Sequence, residues 1–136
     1  MKTTILSGLL LILSLNVQSQ ENTEKTNANK DEVFTVVDDV AEFKGGNAEL
    51  MKYLQTNLKY PEEAKKNKIG GTCFIKFIVA EDGKVNNVQT LKGVPNCAAC
   101  DKEAVRVIEM MPTWNPAKIN GKSVKSYYNL PIRYKA

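Results

Sequence analysis

The stretch YPEEAKKNKIGGTCFIKFIVAEDGKVNNVQTL, residues 60–91, decides the fold of this 136-residue chain. A short polar helix is predicted after Pro61, because the first turn of a helix tolerates a residue without an N–H, and Gly70-Gly71 ends it. Thr72–Ala80 then alternates as a strand. Asp82-Gly83 predicts a type I′ hairpin turn, which needs positive φ at both central residues, and Lys84–Leu91 is the returning strand. The apolar face of the first strand consists of Cys73, Ile75, Phe77 and Val79.

The first twenty residues have the pattern of a secretory signal peptide. Lys2 precedes the apolar run Ile5–Leu15, and Val17-Gln18-Ser19 ends in a small residue. The run is shorter than the roughly 20 residues of a bilayer span, so an uncleaved membrane anchor is the less favoured alternative. We therefore expect a signal peptide over residues 1–20. A disordered polar leader is expected over residues 21–32, and one domain over residues 33–136.

The composition excludes several function classes. The chain has 19 Lys and Arg against 15 Asp and Glu, and these charges are interspersed, so no basic patch for nucleic acid is expected. It has no histidine, which removes the commonest general base and the commonest metal ligand. Nucleophile-elbow, P-loop and dinucleotide motifs are absent from the sequence. We expect neither an enzyme nor a cofactor or metal site.

Upstream of the hairpin, the sequence predicts a strand and a helix. Glu32–Val37 alternates as a short strand, and Asn47 is the predicted N-cap of the helix. One stripe of that helix is apolar and is expected to pack in the core. It consists of Leu50, Met51, Leu54 and Leu58.

Downstream of the hairpin, Asp101 is the predicted N-cap of a helix that continues to Met111. A turn at Asn120-Gly121 leads into a final strand, Ser123–Tyr134. Pro131 cannot donate to a ladder, so this strand should lie at a sheet edge. The order of elements predicts an α+β fold. Two to three helices would pack on one face of a small three-stranded antiparallel sheet, with the N-terminal strand as an added member.

The pair Cys97-Ala98-Ala99-Cys100 is the one reactive feature of the sequence. In an exported chain a structural disulfide is the favoured interpretation. A redox-active pair is the alternative, because a helix N-terminus stabilises a thiolate; a metal site or free thiols come after it. Cys73 shares a strand face with apolar residues and is expected to be buried.

Several segments together resemble the TonB C-terminal domain family, in its Bacteroidetes type. The similarity covers about residues 57–135, and it lies in the order and spacing of the motifs rather than in any one of them. The segments are Tyr60-Pro61, Gly70–Val79, Asp82–Val85, Trp114-Asn115-Pro116 and Leu130–Tyr134. The lead-in over residues 33–46 also resembles that of Bacteroidetes members.

The resemblance implies a periplasmic, stand-alone module that binds the TonB box of outer-membrane TonB-dependent receptors. In the family the receptor peptide adds a strand to an exposed sheet edge. The corresponding receptor-binding residues here are Tyr60, Pro61, Lys125, Ser126, Tyr127, Tyr128, Asn129 and Leu130.

The resemblance also implies limits. A full energy transducer of the family has a retained membrane helix and a long Pro-rich spacer, and we expect neither feature in this chain. It would therefore reach an inner-membrane ExbB/ExbD-type complex only through another protein. One alternative is a full transducer anchored in the inner membrane and facing the periplasm. A thiol–disulfide protein that uses Cys97 and Cys100 is another. Edge-to-edge pairing of two copies would give a homodimer.

Overall fold

The computed structural model describes residues 32–136, so the predicted signal peptide and nearly all of the predicted leader lie outside the described residues. Within this range, no helix has both the length and the apolar character needed to cross a membrane. The helices and strands, in chain order, are α1 (Asn47–Asn57), α2 (Glu62–Lys66), β1 (Gly71–Val79), β2 (Val85–Lys92), α3 (Ala98–Glu109), β3 (Ala117–Ile119), β4 (Lys122–Val124) and β5 (Ser126–Tyr134).

The main sheet has three antiparallel strands in the order β2-β1-β5, which confirms the predicted α+β fold. The predicted single strand Ser123–Tyr134 is wrong in one respect, because the chain changes partner at Lys125. Before that residue β4 pairs with β3 in a separate hairpin, and after it β5 pairs with β1. At the tip of the small hairpin both Asn120 (φ 50°) and Gly121 (φ 76°) have positive φ, as a type I′ turn requires.

The core lies between the main sheet and the helices. The predicted apolar face of β1 is fully buried, and alternate residues of β5 pack beside it. Trp114 fills the end of this core, with its ring 4.8–5.5 Å from the rings of Phe43, Phe77 and Tyr128. The largest fully buried side chains are Trp114, Phe77, Ile75, Ile108, Ile132, Val79, Val107, Cys73 and Cys100.

The turn of the central hairpin differs from the type I′ prediction. Of its two predicted central residues, only Gly83 has positive φ (83°). The amide of Gly83 donates to the carbonyl of Ala80, and the amide of Ala80 donates to the carbonyl of Lys84. These bonds enclose three loop residues, the arrangement of a type I turn followed by a glycine bulge.

The helix starts also differ from the predictions. Gly46, rather than Asn47, is the N-cap of α1, and Met51 of the predicted core stripe is exposed. Helix α3 begins before Asp101: Cys97 is its N-cap, and its Sγ accepts a hydrogen bond from the amide of Cys100. Asp101 instead accepts a hydrogen bond from the amide of Val94, through Oδ1 at 2.8 Å.

The predicted strand Glu32–Val37 is absent. In its place, residues 33–43, here called the lead-in, form only isolated β-bridges with later parts of the chain. The bridges join Phe34 to Ser126, Asp39 to Lys118 and Glu42 to Asn115.

Candidate functional site

The two edges of the main sheet differ in regularity. Strand β2 pairs with β1 through two register shifts, one of them beside Asn87, which has φ 55°. Such bulges twist an edge and hinder the addition of another strand. Strand β5 pairs with β1 in unbroken register, from Gly71 opposite Tyr134 to Val79 opposite Ser126. The β5 edge is therefore the one that can accept a further strand.

The backbone groups of β5 divide by alternation. The amide of Tyr127 donates to the lead-in, so it points away from β1. Because direction alternates along a strand, the backbone groups of Asn129, Pro131 and Arg133 also point outward. Pro131 thus takes a position where no bond to β1 needs its missing N–H. Between Tyr127 and Arg133 the edge offers three outward N–H donors.

Part of this edge is already occupied. The amide of Phe34 donates to the carbonyl of Lys125 at 2.9 Å, and the amide of Tyr127 donates to the carbonyl of Phe34 at 3.1 Å. These bonds make Phe34 a single parallel bridge to Ser126. Within residues 32–136, the outward N–H groups of Asn129 and Arg133 have no backbone partner.

An apolar groove of about 580 Å³ lies beside the second half of β5. One wall comes from the exposed side of α1, and the other from the end of β5. Its lining is Met51, Leu54, Gln55, Leu58, Tyr60 and residues 131–135. Of the two residues whose outward N–H groups have no backbone partner within residues 32–136, Arg133 lines the groove and Asn129 lies two positions before its strand wall begins. Main-chain and apolar contacts are therefore available close together.

Tyr60 joins the groove to the core. Its ring packs edge-on against Tyr134 at 5.4 Å, and its hydroxyl donates to the carbonyl of Ile69. The Tyr134 hydroxyl in turn donates to the carbonyl of Cys100 at 2.8 Å, and burial raises the pKa of Tyr134. The groove wall at Tyr60 is therefore fixed by packing and by hydrogen bonds. Pro61 is the N-cap of α2 and does not line the groove.

A charged clamp holds the turn before Tyr60 against α3. The Arg106 guanidinium donates to Glu103 at 2.8 Å and to the carbonyl of Asn57 at 3.1 Å. Glu103 also accepts from the amide of Lys59 at 2.9 Å. The hydrogen bonds from Arg106 lower the pKa of the Glu103 carboxyl. The clamp ties the end of α1 to α3 and so sets one end of the groove.

The structure separates the strand residues predicted to bind a peptide into two groups. Ser126 and Leu130 have buried side chains, and Tyr128 packs against Trp114. Tyr127 and Asn129 lie on the opposite face, where the Lys76 ammonium sits 4.0 Å from the centre of the Tyr127 ring. Lys125 is half-buried at the junction with β4, and its carbonyl is bonded to the lead-in.

The cysteines occupy protected positions. Cys97 and Cys100 form a disulfide and are both buried. Cys73 is a free, fully buried thiol, and burial, with Asp101 beside it, raises its pKa to about 12. Reactive cysteines are partly exposed and have a lowered pKa. None of the three cysteines therefore has the setting of an exchanging thiol.

Two features of this region were not predicted from the sequence: the groove, and the backbone bonds between the lead-in and β5. Both depend on where α1 and residues 33–43 lie in space, and neither segment borders β5 in the sequence. The sequence contains one indication of the groove, because two of its lining residues, Met51 and Leu58, belong to the apolar stripe of the predicted helix.

One of the comparisons with known proteins identifies a family. The sequence profile of the Gram-negative bacterial TonB protein C-terminal family matches residues 56–136. None of the curated proteins compared matches the chain.

Among solved structures, the fold is similar to two solution structures of the Helicobacter pylori TonB C-terminal domain. The longer form is 17% identical, with a TM-score of 0.50 over 65% of this chain and 78% of that one. The shorter form is 18% identical, with a TM-score of 0.50 over 65% and 90%. The Pseudomonas aeruginosa TonB C-terminal domain is 24% identical, with a TM-score of 0.47 over 57% and 77%. The H. pylori structures show a shared fold.

Proposed function

Because the chain belongs to the Gram-negative bacterial TonB protein C-terminal family, we propose that it is a periplasmic binding module for extended peptide segments of outer-membrane TonB-dependent receptors. The peptide adds a strand to the free edge of β5. The binding is linked to energy-coupled transport across the outer membrane.

The observation that best supports the proposal is that the regular β5 edge lies beside an apolar groove. Within residues 32–136, two of the outward N–H groups of this edge have no backbone partner. Main-chain bonds supply affinity in strand addition, and pockets for alternate side chains supply specificity. Asn129 and Arg133 each offer an outward N–H and C=O, while Pro131 offers a carbonyl alone. A peptide strand that pairs with them must have no essential acceptor opposite Pro131.

The groove suits the side chains on one face of such a strand. Successive side chains of a strand point to opposite faces, so every second peptide residue would face Met51, Leu58 and Tyr60. The remaining residues would lie over the outer face, near Tyr127. An apolar residue at alternate peptide positions is therefore favoured.

The proposal is tested by titrating the full chain with fluorescently labelled peptides of about ten residues from the periplasmic N-terminal segments of receptors. Asn129→Pro removes an outward N–H, and we expect it to weaken binding about tenfold. Asn129→Ala keeps the N–H and loses only an exposed side chain, so its affinity should stay within about twofold. Circular dichroism checks that both variants fold.

Absence of binding by the wild-type chain at millimolar peptide would refute the proposal. Equal affinities of Asn129→Pro and wild type would show that the peptide binds elsewhere. Sedimentation of the peptide-free chain provides a further check, since a dimer paired through β5 would use the same backbone groups.

A further inference from the structure

The lead-in occupies part of the proposed peptide-binding edge. Phe34 makes two backbone hydrogen bonds to the start of β5, one to the carbonyl of Lys125 and one from the amide of Tyr127. Of the three outward donors on β5, the Tyr127 N–H is thus already used. Phe34 precedes residue 56, where the family match begins, so the match assigns no role to this contact.

The lead-in is held more firmly at its other end. The carbonyl of Lys118 accepts from the amides of Asp38 and Asp39, and its amide donates to the carbonyl of Asp39 at 2.9 Å. The Asp38 carboxylate also accepts from the amide of Asn120 at 2.7 Å. These bonds hold the chain from Asp38 onward without any contribution from Phe34.

Between these two attachment points the chain is held by side-chain packing, with Val37 half-buried against the core, rather than by backbone bonds. In the described part of the chain, residues 35–37 donate and accept no backbone hydrogen bond outside regular elements. Val36 is 84% exposed. Phe34 can therefore leave the β5 edge while the bonds to Lys118 and Asn120 stay in place. Local opening of this kind costs little where few buried contacts must break.

We propose that Phe34 is an intramolecular competitor for the β5 edge, displaced when a receptor peptide pairs along the whole strand. This inference rests on the proposed function. A peptide confined to Asn129 and Arg133 leaves Phe34 bound. A longer peptide that also bonds Tyr127 must first displace Phe34. The apparent affinity of that peptide is then its intrinsic affinity multiplied by the fraction of molecules whose edge is open.

The test compares three variants of the full chain with wild type, using one long and one short receptor peptide. Phe34→Pro removes the N–H that donates to Lys125. Val36→Pro is the matched control, because the Val36 amide makes no such bond. Phe34→Ala keeps the N–H but removes the half-buried ring, so it separates the effect of the ring from the effect of the backbone bond.

For Phe34→Pro we expect the long peptide to bind about three- to tenfold more tightly. The short peptide and Val36→Pro should stay within about twofold of the wild-type values. Amide hydrogen exchange at Tyr127 in the free chain should be faster in Phe34→Pro and unchanged in Val36→Pro.

The outcomes separate the two proposals. If wild type binds the long peptide but Phe34→Pro binds it equally or more weakly, the competitor role is refuted and the proposed function stands. If Phe34→Ala alone tightens binding, the ring rather than the strand pairing blocks the edge, and competition through the backbone bonds of Phe34 is also refuted. If none of the four chains binds either peptide, the proposed function fails and the competitor role fails with it.

Discussion

The amide of Trp114 donates to the carbonyl of Gly83 at 2.7 Å, and a Cβ built on Gly83 would lie 1.9 Å from the carbonyl oxygen of Trp114. This contact joins the turn of the β1–β2 hairpin to the residue that fills the end of the core. The turn glycine is thus required both for its positive φ of 83° and for the space that it leaves.

Gly83→Ala should lower the free energy of unfolding by about 2–4 kcal/mol, because it adds backbone strain to a steric clash with main-chain atoms. Gly121→Ala is the matched control: Gly121 also has positive φ (76°), but no atom lies within 4 Å of the added Cβ. It should cost only about 1 kcal/mol. Urea unfolding followed by Trp114 fluorescence measures both. Equal losses would mean that the clash is relieved by a small backbone movement.

Cys73 should resist alkylation in the folded protein. Its thiol is fully buried and its pKa is raised to about 12, so almost no thiolate exists at neutral pH. Mass spectrometry after iodoacetamide treatment at about pH 8, near the ordinary thiol pKa, should find no adduct on the native chain and one adduct after unfolding in urea. Rapid labelling of the native chain would show that this part of the core opens.

The Glu103–Arg106 clamp should make stability depend on pH. Hydrogen bonds from Arg106 lower the pKa of Glu103 in the folded state, so its contribution is present above the unfolded pKa and is lost as pH falls through the folded pKa. Glu103→Gln should therefore melt at a lower temperature than wild type at pH 7. The two melting temperatures should converge once the pH falls below the folded-state pKa of Glu103, which lies below the ordinary carboxyl value. A difference that persists at low pH would indicate a role other than ionic pairing.

Met51 should matter for peptide binding and little for folding. It lines the groove and is 55% exposed, so Met51→Ala should change stability by less than about 0.5 kcal/mol. It should weaken peptide affinity about three- to tenfold through lost apolar contact. Met110, which is 58% exposed and outside the groove, is the control of the same residue type. Equal affinity losses for both methionines would argue against the groove as the binding surface.

The sequence was sufficient for the parts of the fold that depend on local pattern. Alternation fixes the buried face of β1, and Pro131 correctly indicates an edge strand, because both effects are properties of neighbouring residues. The prediction of a type I′ turn was wrong because Asp82-Gly83 is compatible with two kinds of hairpin loop. The close approach of Trp114 to Gly83 arises only in the folded structure.

The candidate site was predictable only in part. The resemblance pointed to residues 125–130 and to Tyr60. Tyr60 lines the groove, but the strand wall of the groove is residues 131–135, which follow the predicted ones. The division of β5 into inward and outward residues requires its register with β1, which strand length alone does not determine. The bond from Phe34 to β5 joins residues about ninety positions apart, and no local pattern encodes it.

Strand addition at β5 is tested most directly by amide hydrogen exchange of the ¹⁵N-labelled full chain, with and without saturating receptor peptide. Peptide pairing should slow exchange at Asn129 and Arg133 at least about tenfold and leave exchange along the bulged β2 edge unchanged. Strand addition at β5 would be contradicted if bound peptide left Asn129 and Arg133 exchanging at their free rates, or if it protected β2 instead.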